Sequence, residues 1–121
     1  MTYNDKMGRL LQRVMEKAEA GELIWTAVKD VPEDEGETYG SVIDNRNIEV
    51  RRLAKPDGST DYALDLFDAK GEYIRSIWDN EIRQINISLT GYQALRRIFI
   101  AARDNATGAM SAIDQYLEIL E

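Results

Sequence analysis

Chemistry in this chain would have to run on carboxylates, Lys, Tyr or Ser. The nearest approach to a catalytic pair is Glu49 with Asp65, which fall on the same side of adjacent predicted strands, with Arg75 completing the row on a third. Paired carboxylates can divide acid and base work at a glycosidic bond. With an arginine beside them on an open sheet face, the pattern instead predicts a cross-strand ion row, worth roughly 0.2 to 1 kcal/mol per good pair. A second group is Arg51, Arg96 and Arg97, whose planar guanidinium groups can grip phosphate or carboxylate in a forked geometry. They are the candidate residues for an anionic or nucleotide-type small molecule, although no glycine-rich phosphate loop accompanies them.

Composition removes most other chemistry. The 121 residues include no Cys and no His, which excludes thiolate nucleophiles, cysteine zinc sites and imidazole bases or ligands. No catalytic residue, metal site or cofactor is expected, and the chain reads as a non-enzyme. Asp30, Glu33, Asp34, Glu35 and Glu37 cluster around Pro32 and Gly36, but without the alternating ligand spacing of a calcium-binding loop; the stretch reads as solvated. A formal charge of −7 and a pI near 4.7 repel phosphate backbones, so nucleic acid is not an expected partner. No run approaches the roughly 18 apolar residues of a membrane span, and residues 1–6 lack a secretory pattern. The expected location is cytoplasmic, with no membrane association.

The elements that must position these residues are strands. Residues 48–53, 61–67 and 73–78 alternate apolar and polar side chains between two turns, Lys55, Pro56, Asp57, Gly58 and Asp68, Ala69, Lys70, Gly71. Each turn has the form of a type I turn followed by a left-handed glycine. Read that way, Ile48, Val50 and Arg52 lie opposite Leu66, Leu64 and Tyr62, which in turn lie opposite Ile74, Ser76 and Trp78. The predicted core face is Val50, Leu64, Leu66, Ile74 and Trp78. The other face carries the ion row, Phe67 opposite Tyr73, and a row of Arg51, Ala63 and Ile77. Phe67, Tyr73 and Ile77 standing between charges make that face the candidate protein-interaction site unless a helix covers it.

Around the meander, residues 4–20 place Met7, Leu10, Leu11, Val14 and Ala18 at helical spacing, with Asn4 or Asp5 as cap and Gly21 as stop. Residues 23–29 predict a first strand with Ile24 and Trp25 on opposite sides. Residues 38–43 predict a second, weakened by Gly40, and a two-residue loop within 44–47 would set Ile43 opposite Ile48 and Ser41 opposite Val50 on the core side. Asp79 and Asn80 can cap a short helix at 81–85. Thr90 with Gln93 forms a capping box ahead of Tyr92, Leu95, Ile98, Phe99 and Ala102. A last helix over 110–120 presents Ile113, Leu117 and Leu120 and should fold back on its neighbour.

The expected architecture is one α+β domain spanning 1–121: an N-terminal helix, a four- to five-stranded antiparallel meander sheet and two to three C-terminal helices. The layout of residues 21–25, an acidic loop, an Asp-rich meander closed at Gly71, and 95–103 resembles small acidic α+β proteins of bacteria and phages that have no characterised activity. The resemblance implies no role for particular residues; it implies a regulatory or defence and anti-defence protein partner. The functional expectation is a non-catalytic interaction domain that self-associates as a homodimer or higher oligomer, with the arginine-bound small molecule as the alternative.

Overall fold

The computed structural model describes residues 2–29 and 36–121. The first helix, α1 (Tyr3–Glu19), is capped by Thr2, whose hydroxyl accepts from the Asp5 N–H while the Asp5 carboxylate accepts from the Thr2 N–H. The cap is therefore Thr2, one turn ahead of the expected Asn4 or Asp5. Met7, Leu11, Val14 and Ala18 are buried along one side, whereas Leu10 lies at the edge of the stripe and stays 36 % exposed. Gly21, with φ of 74°, ends the helix as its position suggests.

Five antiparallel strands follow, in sheet order identical to chain order: β1 (Thr26–Ala27), β2 (Glu37–Ile43), β3 (Arg46–Ala54), β4 (Thr60–Phe67) and β5 (Tyr73–Trp78). β1 is shorter than the 23–29 run. Ile24 and Trp25 do face opposite ways, Trp25 buried and Ile24 exposed. The acidic residues Asp30, Glu33, Asp34 and Glu35 lie outside the described residues. Asp44 and Asn45 both adopt positive φ, 48° and 66°, and make a two-residue turn. The turn sets Ile43 against Arg46 and Ser41 against Ile48. The loop length is the expected one, but a two-residue loop pairs its flanking residues, Ile43 and Arg46, rather than Ile43 with Ile48; the shift of two leaves each side chain on its expected face.

The β3–β4 register is the predicted one: Ile48 opposite Leu66, Val50 opposite Leu64, Arg52 opposite Tyr62. The β4–β5 register is not. Phe67 pairs with Tyr73 as expected, and the turn closes with Gly71 at φ 84°. A bulge then inserts Ile74, so that Leu66 pairs with Arg75, Leu64 with Ile77 and Ala63 with Trp78. One extra residue exchanges the faces of the rest of the strand. Ile77 becomes core at 1 % exposure and Ile74 sits 57 % exposed. The proposed core membership of Ile74 and Trp78 is thereby corrected, while Val50 and Leu64 are fully buried and Leu66 packs against the core's edge.

After β5 the chain makes turns where a short helix over 81–85 was expected. Asp79 extends the sheet: its N–H donates to the Tyr62 carbonyl and its carboxylate accepts the Tyr62 N–H at 2.9 Å. An Asp whose carboxylate pairs with the neighbouring strand cannot also cap a helix. The second helix, α2 (Gly91–Thr107), starts with the anticipated Thr90 and Gln93 capping box. Its entry is tight, since a Cβ on Gly91 would lie 2.2 Å from the Ile82 carbonyl oxygen. Ala94, Leu95, Ile98, Phe99 and Ala102 are buried against the sheet and α1, and Phe99 packs its ring on Tyr39 and Tyr62. Gly108, left-handed at φ 70°, separates α2 from α3 (Ala109–Leu120). None of α3's residues is buried, so α3 does not fold back to cover its apolar stripe on its neighbour as expected.

Candidate functional site

α1 and α2 occupy one side of the sheet, and the other side carries a side-chain network of its own. Arg51 is at its centre. The Arg51 Nε lies 3.0 Å from Asp65 Oδ2, and its guanidinium carbon sits 4.8 Å above the Trp78 ring. Asp65 is buried, and its other oxygen accepts from Ser76 Oγ at 2.5 Å. Ser76 in turn shares a 2.8 Å hydrogen bond with the Tyr73 hydroxyl. Both carboxylate oxygens thus have partners, an arrangement that holds the Asp65 side chain in place. It offers no spare oxygen for acid or base work.

The bulge at Ile74 decides this composition. The expected row of Glu49, Asp65 and Arg75 is in fact Glu49, Asp65 and Ser76, because Arg75 points to the core side. There it pairs with Glu81 and lies over the Tyr3 ring. Ile77, expected with Phe67 and Tyr73 as an interaction residue, is removed from that surface by burial. Phe67 and Tyr73 remain together on the outer face, rings edge to face at 6.0 Å, with Tyr73 60 % exposed. The third row is Arg51, Ala63 and Trp78.

The arginines are divided by the sheet. Arg51 is engaged on the outer face, while Arg96 and Arg97 stand on α2 on the opposite side. Arg97 makes a two-pronged pair with Glu19 of α1, Nε to Oε2 at 2.9 Å, which ties the helices together. Arg96 is exposed, and both line a shallow cleft of about 420 Å³ with Ser88, Tyr92 and Gln93. On the core side, Arg52 pairs with Glu37, which also accepts the Tyr39 hydroxyl. Burial first, and the Glu37 carboxylate second, push the Tyr39 phenol up to about 12. Among the described residues no three carboxylates gather closely enough to hold a metal ion.

Among the described residues, α3 carries the longest run of exposed large apolar side chains. Met110, Ile113, Tyr116, Leu117, Ile119 and Leu120 are all exposed, from 45 % at Leu117 to 79 % at Leu120. A second open patch lies where α1 meets β4 and β5: Tyr3, Leu10 and Lys6 border a cavity of about 180 Å³ floored by Met7, Leu66 and Ile77. Helical periodicity identified the α3 stripe as apolar and predicted that it packs against its neighbouring helix. The α1 patch had no sequence signal, since Leu10 reads as one more member of the buried stripe and the cavity floor depends on the β5 bulge. Among the described residues, no helix is long and apolar enough to cross a membrane. Comparison with family models, curated proteins and solved structures finds no match to this chain.

Proposed function

We propose that the chain is a non-catalytic protein-interaction domain that associates with itself, and that α3 is the principal contact surface. The observation that carries this reading is the exposure of α3. An amphipathic helix in a folded domain normally covers its apolar face, and exposed apolar surface of this extent is characteristic of interaction sites. Within a chain bearing 22 acidic and 15 basic residues, such a surface needs a specific partner to overcome general charge repulsion. The Phe67 and Tyr73 pair on the outer sheet face is the secondary contact. It ranks after α3 because it offers two rings, and Arg51 beside it is already paired with Asp65.

The test is a mass measurement by light scattering on the full chain across a concentration series. A dimer or larger species is expected, dissociated by Leu117→Glu. A wild type that stays monomeric removes the reading. A wild-type oligomer that resists Leu117→Glu and yields to Tyr73→Glu transfers the interface to the sheet.

A second reading, an anionic small molecule, is supported by the cleft that Arg96 and Arg97 share with Tyr92. A nucleotide and phosphate panel checks it by thermal shift, because a ligand at about 100 times its Kd adds about 2.7 kcal/mol. A shift that Arg96→Ala abolishes supports it, and an unshifted melting curve with every compound counts against it.

A further inference from the structure

We infer that α3 of one copy docks in the groove beside Leu10 of a second copy, between α1 and the β4–β5 edge, and that two such contacts close a two-fold dimer. This rests on the self-association reading above and names both halves of the interface.

α3 supplies one half. Its apolar residues cover a broad arc, with Met110, Ile113, Leu117 and Leu120 recurring at helical spacing. Asp114, Glu118 and Glu121 group to one side of that arc, and residues 109–121 contain no Lys or Arg. Packing α3 against its own symmetry copy would bring Asp114 and Glu121 towards like charges with no cation on either helix. A fitting acceptor is therefore apolar with a basic border.

The groove has that chemistry. Its floor is Met7, Leu66 and Ile77, and its volume of about 180 Å³ suits an inserted aliphatic side chain. Tyr3 and Leu10 of α1 form the apolar wall, 61 % and 36 % exposed. Along α1, Lys6 lines the groove and Arg13 follows on the same flank next to Leu10. Lys6 has no ion-pair partner among the described residues, while Arg13 makes an exposed pair with Glu16. A net acidic chain thus places local positive charge beside its open apolar groove and negative charge beside its open apolar helix. The two surfaces also lie at different ends of α1. α3 departs beside Ala18 and Gly21, whereas the groove is bounded by Tyr3 and Met7. A helix of 12 residues extends about 18 Å and reaches out to a neighbour. Reciprocal exchange covers both helices and leaves no open end for filament growth.

The experiment uses full-length protein with sedimentation and light scattering, with circular dichroism to confirm that each variant is folded. Leu117→Glu blocks the helix and Leu10→Glu blocks the groove. Both positions are exposed in the monomer, so the fold should tolerate them. Each variant alone should be monomeric, with Kd raised about tenfold or more. Mixed together they should form a heterodimer, because the intact helix of the Leu10→Glu chain fits the intact groove of the Leu117→Glu chain. Raising salt should weaken the wild-type dimer. If the wild type dimerises, Leu117→Glu dissociates it and Leu10→Glu does not, self-association through α3 stands and the groove assignment falls. If both variants are monomeric but their mixture does not pair, the heterologous contact is overturned. A monomeric wild type overturns this inference and the reading beneath it together.

Discussion

α2 and α3 are consecutive helices separated by one glycine, and both carry an apolar stripe at helical spacing, yet they meet opposite fates. α2 lies between the sheet and α1 and buries Leu95, Ile98 and Phe99 to within 1 % of complete. α3 touches α2 and buries nothing. Periodicity states that a helix has a face to cover; it does not state with what. α2 acquires its cover from residues distant in sequence, Tyr39 and Tyr62 on the sheet and Glu19 on α1, and Asn105 near its end accepts the Trp25 N–H at 2.8 Å. α3 has no counterpart to these contacts among the described residues. The same contrast recurs within β5, where Ile77 is covered and Ile74, three residues away, is not.

The contrast can be broken by substitution. Phe99→Ala should have the largest effect, about 3 to 5 kcal/mol in urea denaturation; a loss below about 1 kcal/mol would mean that α2 is not seated as described. Ile77→Ala should cost about 2 to 5 kcal/mol, while Ile74→Ala should stay within about 0.5 kcal/mol. The reverse order would restore the unbulged register. Asp79, at the start of the connection into α2, gives an intermediate and pH-dependent effect. Burial raises its carboxyl above the ordinary value, partly offset by the Tyr62 N–H. A carboxyl raised on folding favours the native state at pH below its unfolded value, and that contribution is lost as pH rises through the folded value. Asp79→Asn keeps an acceptor for Tyr62, so it should gain stability relative to wild type as pH rises from acid towards neutral. A difference that shrinks over that range would contradict the burial. Leu117→Ala should have the smallest effect, within about 0.5 kcal/mol in monomeric protein, since it removes exposed surface only. A larger loss confined to concentrations where the chain is oligomeric would locate α3 in an interface.

Where local chemistry and final structure coincide, the link is short-range. Thr90 and Gln93 are three residues apart, and each supplies what the other's backbone needs. Gly58 and Gly71 occupy left-handed turn positions, and the β3–β4 pairing follows directly from the first turn. The second turn closes in the same way, and its strand still slips one residue on. The reason lies across the sheet. The inserted Ile74 lets Ile77 enter the space beneath the helices, lets Ser76 meet Asp65 and lets Trp78 lie under Arg51. None of those partners is encoded in the turn. The outer surface was legible in part for that reason: Phe67 and Tyr73 lie before the slip and keep their predicted face, and Ile77 lies after it and does not.

By itself, the sequence determined the α+β class, the start of α2 at its capping box, the glycine turns of the meander and the alternation that marks both faces of β3 and β4. It also excluded cysteine and histidine chemistry through composition alone. The tertiary structure decided which face of β5 is core, whether each arginine is engaged, and which amphipathic helix remains uncovered. Capping, turn geometry and alternation are satisfied within a few residues, so they can be read locally. Burial depends on what arrives from elsewhere in the chain, and for α3 nothing within the described chain arrives.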